Sequence, residues 1–553
     1  MLFRSSFGRG QRLPGRLELS GQLTQARAAA VARYLPLGLG HAARDYVAEA
    51  VREGVVPKAT FRVRGDLWDF PFASGQEGEF HLAAQVQQLT LDYVPARLAG
   101  DGMVWPPFTQ VAGELVFDRG SMAIRQARAR LWGVELQGVN GRIDDLVHHP
   151  ELRIEGAGKG PLTDALRFVA ASPVAGWTRQ ALSEAVGSGS ADLKLALRIP
   201  LDDAGRSTVK GSVQLAGNEL RLRPEVPPLS GARARIDFSE GGFAIVGGRA
   251  RALGGEAQIE GASRPDGSVW VKVQGQASAE GLRQATELGA LTRLGQLASG
   301  STAYQLQLGF LRGRMELGFQ STLQGLAVDL PAPLRKTAAE AWPLKVQTTL
   351  GPEGGAHASR DTLRVDLAAI GHAEYQREYQ GDQARVLRGA LSLGDALPAL
   401  PARGVLAQLR LGKVDAADWL AAAQRPAPAG TVAGGAEDGY LPTEVQLSAQ
   451  SLALPRLTLG ALTAQASPRG GGWRVQLQSE QAAGQIDWQP GANAQQPAQV
   501  EARLSRLWIP AGAPDPAPAT TRPATTPRPN VSSASSAPTG PLPALDIQVG
   551  DLR

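Results

Sequence analysis

The chain contains no cysteine. Disulfide staples and thiolate metal sites are excluded, and the redox compartment stays open. No run approaches the ~18–20 consecutive apolar residues of a membrane helix. Met1-Leu2-Phe3-Arg4 has no apolar stretch behind it, so no secretory signal is read. Aromatic residues make up only 5%, and the arginines alternate singly with apolar neighbours although the net charge is +5. A nucleic-acid binder shows a basic stripe with interleaved aromatics, and none is present. Six histidines are scattered, without a Gly-x-Ser-x-Gly elbow or a Ser/His/Asp arrangement. No catalytic residue, cofactor site or metal site is expected, and the chain reads as a non-enzyme.

A gapless internal repeat is present. Residues 106–137 align on 227–258 with 12 of 32 positions identical. Pro106-Pro107, Phe117, Gly120, Ala123-Ile124 and Arg128-Ala129-Arg130 return as Pro227-Pro228, Phe238, Gly241, Ala244-Ile245 and Arg249-Ala250-Arg251. Such repetition implies units that stack, with a surface continuing from one to the next.

Period-2 alternation dominates, so each strand offers one apolar and one wet face. It is clear in Phe61, Val63 and Leu67, in Leu82 and Val86, and in Leu193, Leu195 and Leu197. It continues in Val269, Val271 and Val273, in Leu306 and Leu308, and in Leu363, Val365 and Leu367. These sixteen residues are the candidate lining of an apolar groove. Short helices are expected at 41–53 (with Gly54 as C-cap), 162–171, 174–186, 281–289 and 415–423. The fold class is mainly β: an elongated, curved antiparallel repeating β-groove with short helices packed at unit ends. About 20–25 strands at ~4.8 Å spacing would extend roughly 100–120 Å.

Residues 1–30 form a poorly defined N-terminal segment, 31–424 the repeating groove, 425–439 a loop and 440–510 a further groove unit. Residues 511–543 carry nine prolines among Ala, Thr and Ser and read as a disordered linker. Residues 544–553 begin a further strand without a visible partner, as in a polypeptide that continues.

Gly156-Ala157-Gly158-Lys159-Gly160 has the wrong spacing for a phosphate loop and reads as a turn. His148-His149 lacks ligand partners and reads as a solvated turn. Asp144-Asp145 and Asp202-Asp203 serve turns. The tryptophans, Trp68, Trp105, Trp132 and Trp177 among them, read as core anchors at sheet corners.

Several phrases carry a family resemblance. They are Ala32-Arg33-Tyr34-Leu35-Pro36, Gly65-Asp66-Leu67-Trp68-Asp69-Phe70-Pro71-Phe72, Trp105-Pro106, Ala171-Ser172-Pro173-Val174, Ile199-Pro200-Leu201 and Leu253-Gly254-Gly255. The most distinctive is Asp329-Leu330-Pro331-Ala332-Pro333-Leu334-Arg335-Lys336, followed by Trp342-Pro343-Leu344. Over roughly 30–510 the chain resembles the central part of the YhdP family of AsmA-like envelope proteins of Gram-negative bacteria. The resemblance implies a periplasmic protein, anchored in the inner membrane in full-length members by a helix absent here. It implies a bridge-like groove carrying phospholipid between inner and outer membranes and supporting the outer-membrane barrier. The implied partners are phospholipid and, through regions missing from this chain, the two membranes; protein partners stay unassigned. Lipid tails exposed to water cost ~0.8 kcal/mol per methylene, so an apolar lining removes the barrier without chemistry. The alternative is an envelope scaffold with a closed β core that docks other proteins.

Overall fold

The structure, a computed structural model, describes residues 2–6, 15–35, 40–73, 77–97, 105–172, 182–224, 226–288, 290–311, 314–351, 359–380, 383–423, 439–455, 457–491, 498–509 and 544–552. It is mainly β, with twenty-nine strands among these residues rather than the 20–25 expected. The chain divides into two compact units. The first is 1–292 with 305–315, and the second is 293–304 with 316–553.

The first unit is an open antiparallel ladder. Its strands are β1 (Leu2–Ser6), β2 (Arg16–Arg27), β3 (Val51–Asp66), β4 (Gly78–Leu91), β5 (Phe108–Asp118), β6 (Ser121–Leu131), β7 (Val134–Ile143) and β8 (Glu151–Pro161). There follow β9 (Val186–Ser188), β10 (Ser190–Pro200), β11 (Thr208–Arg221), β12 (Leu229–Ser239), β13 (Gly242–Ala252), β14 (Gly255–Ser263) and β15 (Val269–Ser278). Each strand from β1 to β8 pairs antiparallel with the next. β8 pairs with β10, and the ladder then runs on to β15. The short β9 pairs with the end of β11. There Asn218, 2% exposed, donates to the carbonyls of Ser188 and Ser190 at 3.0 Å each.

The sequence repeat is a structural one. β5 and β12, like β6 and β13, begin and end at positions 121 residues apart. Their registers coincide: Thr109↔Arg130, Ala112↔Arg128 and Phe117↔Met122 return as Ser230↔Arg251, Arg233↔Arg249 and Phe238↔Phe243. Left-handed backbone recurs at Gln110 and Gly231, Gln126 and Gly247, and Trp132 and Leu253. The first two pairs sit at β-bulges, where an extra residue bends the strand. Identity stops at Gln137 and Gln258 because β7 next inserts Gly138 (φ 58°) as a bulge and β14 does not.

Helix α1 (His41–Ala50) joins β2 to β3, and α2 (Leu162–Ala171) leads from β8 to β9. Helix α3 (Ala279–Gln284) follows β15, capped by the Ser278 hydroxyl, which accepts from Gly281 N. Because neighbouring strands alternate direction, all three leave the sheet along the same margin of the first unit. Leu162 and Leu166 of α2 pack on Ala191 and Leu215. An aromatic chain links α1 to α2: Tyr46 donates to the Tyr93 carbonyl, Tyr93 meets Trp105, and Trp105 meets Phe168. Burial raises the pKa of Tyr46 and Tyr93, helped by the charge of Asp92.

Helix α4 (Ala290–Gln296) and strands β16 (Ala298–Leu311), β17 (Arg314–Ser321) and β18 (Leu326–Val328) come next. The ladder of the second unit runs from β17 through β19 (Leu344–Leu350), β20 (Ser359–Leu367), β21 (Gly371–Gln380) and β22 (Gln383–Leu393), all antiparallel. Next come β23 (Gly404–Asp415), α5 (Ala416–Ala423) and β24 (Glu444–Leu454). The pairs β22–β23 and β23–β24 are parallel. β25 (Leu457–Arg469), β26 (Gly472–Gln478), β27 (Ala482–Gln489) and β28 (Gln499–Leu507) return to antiparallel pairing.

Several expectations are corrected. The helix expected over 41–53 stops at Ala50. Gly54 lies inside β3, where a Cβ would stand 2.8 Å from Leu89 Cα. Residues 156–160 are not a turn but the interior of β8; Leu136 and Val139 fill the space above Gly158 and Gly156. β29 (Ala544–Val549) has a partner, pairing in parallel with β28. No described tryptophan is buried, and Trp68 is 60% exposed. Of the helix expected over 174–186, residues 174–181 lie outside the described set, and its end is β9. The linker 511–543, Trp177 and residues 425–438 also lie outside the described residues.

Candidate functional site: an apolar face carried across the strands

Residues paired across a ladder share a face, so the registers trace a surface strand by strand. In the first unit Phe61 pairs with Leu82, Leu82 with Phe117, Phe117 with Met122, and Met122 with Ile143. One step along, Gly141 pairs with Ile154 and Ile154 with Leu197. From Leu195 the row continues through Gly211, Phe238 and Phe243. From Leu193 it passes Val213, Ile236, Ile245, Gly261 and Val271. No polar side chain interrupts these rows.

The registers therefore bring Phe61, Val63, Leu82, Val86, Leu193, Leu195, Leu197, Val269, Val271 and Val273 onto one face. Leu67 stands apart, in the 3-10 turn Leu67–Asp69 beyond the end of β3. Its predecessor Asp66 holds the turn by accepting from Trp68 N.

In the second unit an equivalent row runs Phe319–Val346–Val365–Ala373–Leu391–Ala407–Val445. It continues Ala466–Val475–Ile486–Ala502–Ile547. Leu363 and Leu367 flank Val365 on that face. The Tyr304 ring stacks on Phe319 at 5.9 Å. Leu306 and Leu308 belong to the first unit, where by the two-residue period they share one face of β16.

Most of this lining is half-buried. Leu193, Leu195 and Leu197 retain partial exposure, as do Val365, Val475 and Ile486. Apolar faces packed between two sheets would be sealed. The described strands of each unit belong instead to single-layer ladders, and closed clusters are local. One lies under α2, and one joins Ala449, Leu459, Leu462 and Ala482.

Rings lie flat over glycines within the lining. A Cβ at Gly211 would meet Phe238 Cζ at 2.4 Å and the Lys194 carbonyl at 2.6 Å. At Gly389 it would meet Tyr375 Cδ1 at 2.4 Å. An aromatic on a cross-strand glycine covers bare backbone and keeps the floor low.

A hollow of about 1020 Å³ crosses β7 to β14 in the first unit. Its side chains include Ala157, Lys194, Ser212 and Asp237, which form one row, and Glu155, Ala196 and Lys210, which form another. Both rows alternate with Leu195 and so lie on the polar face. Leu195, Gly211, Phe238 and Phe243 of the apolar row also border it. The hollow is thus bordered by residues of both alternations, polar and apolar.

His148 sits in an exposed turn whose Asp145 accepts from Val147 N, His148 N and His148 Nδ1. The backbone hydrogen bond from His148 leads in lowering the Asp145 pKa to about 2. No helix of the described residues is long and apolar enough to cross a membrane.

No curated protein and no solved structure matches the chain. The family model described as YhdP protein matches residues 2–553. A match over essentially the whole length, on a chain built as this open β ladder, makes it a member of the YhdP family.

Proposed function

We propose that this protein is a non-enzymatic lipid conduit of the cell envelope, its apolar face receiving the acyl tails of phospholipid. The YhdP family is envelope-associated. The observation carrying the reading is the uninterrupted apolar row in each unit, half-buried and without a second sheet across it among the described residues. A closed-core scaffold would seal these side chains. The strands of 10–14 residues that make most of the first unit are longer than the ~15 Å half-thickness of a bilayer core at ~3.3 Å per residue. A tail can therefore lie along one strand while its headgroup stays wet. Small and branched liners fix no single pose, which suits passage better than capture. In this reading the phospholipid moves between inner and outer membranes, through the periplasm, and the traffic supports outer-membrane integrity.

The test is retention. The purified native chain is expected to carry phospholipid detectable by mass spectrometry. Leu195→Glu and Val365→Glu each place a charge on the lining and are expected to lower that retention with the circular dichroism of the sheet unchanged. A native chain that emerges from a lipid-rich lysate clean, and gains none on incubation with vesicles, contradicts the conduit.

A further inference from the structure

One point of the second unit's apolar face is neither apolar nor open. Asp361 lies on the face of Leu363 and Val365, and Arg377 on the face of Tyr375. Arg377 Nε donates to Asp361 Oδ1 at 2.9 Å and Nη2 donates to Oδ2. The Tyr379 hydroxyl donates to the same carboxylate at 3.2 Å. Asp361 is 3% exposed. A buried ion pair seldom stabilises a fold as well as apolar packing does, so its presence in a lipid-type lining asks for a reason.

The reason on view is a crossing segment. Residues 439–443, which lead into β24, pass over this face to reach β21. Arg377 Nη1 donates to the Tyr440 hydroxyl at 3.1 Å, and the Tyr375 hydroxyl donates to the Tyr440 carbonyl at 3.3 Å. The two tyrosine rings meet edge to face at 5.1 Å. At the far end Thr443 N donates to the Val405 carbonyl, and Val405 N donates to the Thr443 hydroxyl. Beside this segment the lining is closed, with Tyr375 8% and Val405 1% exposed. Farther along, Val365, Val475 and Ile486 stay half-buried.

We infer that residues 439–443 are a strap latched across the acyl-binding face of the second unit, with Tyr440 as its bolt and the Asp361–Arg377 pair as its keeper. The inference rests on the lipid-conduit reading and adds to it a local closure. Asp361 fixes the Arg377 fork through two of its nitrogens, leaving Nη1 aimed at Tyr440. Releasing the bolt frees the Tyr375 ring and bares lining that an acyl chain can cover.

The test compares native chain, Tyr440→Ala and Tyr440→Phe in two measurements: hydrogen exchange, and binding of a fluorescent long-chain fatty acid. Tyr440→Ala is expected to speed exchange of the Leu441 and Thr443 amides about tenfold while β20 to β22 keep their protection. Acyl binding is expected to rise several-fold. Tyr440→Phe keeps the ring and loses only the bond from Arg377, so a smaller rise is expected. Unchanged exchange in the strap overturns the inference. So does faster exchange with acyl binding still at the native level, an outcome that leaves the conduit reading standing. Absence of acyl binding in all three proteins overturns both.

Discussion

Each unit carries an apolar face, reached by a different route. The first is antiparallel throughout, and no charged side chain interrupts the apolar rows traced across it. The second inserts the parallel pairs β22–β23 and β23–β24, and its lining holds a buried ion pair. Parallel neighbours oblige the chain to return across the sheet. Before β23 it returns over the polar face, where Asp395 pairs with Arg410 and accepts from Gln408. Before β24, residues 439–443 lie over the apolar face. Strand direction is thus free to vary, while the apolar row is kept. What the fold holds constant is the apolar face.

The sharpest way to break this comparison is to remove one charge. Asp361→Ala leaves Arg377 buried without its partner and is expected to destabilise the second unit by about 3–5 kcal/mol. Exchange protection should fall in β20 and β21 and hold in the first unit. Equal losses in both units would show that the pair is no local feature. Next in size, Gly211→Ala and Gly389→Ala place a methyl against a ring and a neighbouring backbone. Each is expected to cost about 1–3 kcal/mol by denaturant titration, in its own unit. Were either neutral, the low glycine floor would be incidental.

Alkaline titration reaches both units, since burial also raises the pKa of Tyr46 and Tyr93 in the first. Burial raises the pKa of Tyr375 and Tyr304, and it pushes Tyr379 up to about 12. Stability from these groups is complete below the unfolded value of 10 and falls as pH rises through the folded values. Melting temperature should decline from pH 10 upward, and Tyr379→Phe should soften the decline. A flat profile between pH 9 and 12 would contradict the assignment. The smallest effect belongs to the exposed pair of Arg130 and Glu135 in the first unit. Arg130→Ala is expected to change stability by less than about 1 kcal/mol and to lose even that in high salt.

Much of this was legible in the sequence because alternation is local. The alternating run from Leu193 to Ile199 became β10, and α2 fell where Leu162, Leu166 and Val169 share a helical stripe. Glycine misled twice. It reads as a turn or a cap, yet Gly54 and Gly156 to Gly160 are places where a neighbouring side chain or backbone needs the room. The tryptophans misled because size suggests burial, whereas a single-layer sheet offers few places deep enough for an indole. The keeper of the strap was not legible at all. Tyr440 lies 63 residues from Arg377, and only the parallel return of the chain brings them together. Nor does alternation reveal which face stays open, since a sandwich shows the same period.

The neighbour-by-neighbour pairing of β1 to β8 also bears on how the protein is made. Each new strand finds its partner in the segment synthesised just before it, so the first unit can assemble hairpin by hairpin as the ribosome delivers it. No strand there waits for a distant mate until β8, whose partner β10 lies beyond α2 and β9. Sheets of this size usually carry a long interval of bare edges during folding, with the aggregation that invites. Here strands β2 to β8 each pair with the edge left by the strand before.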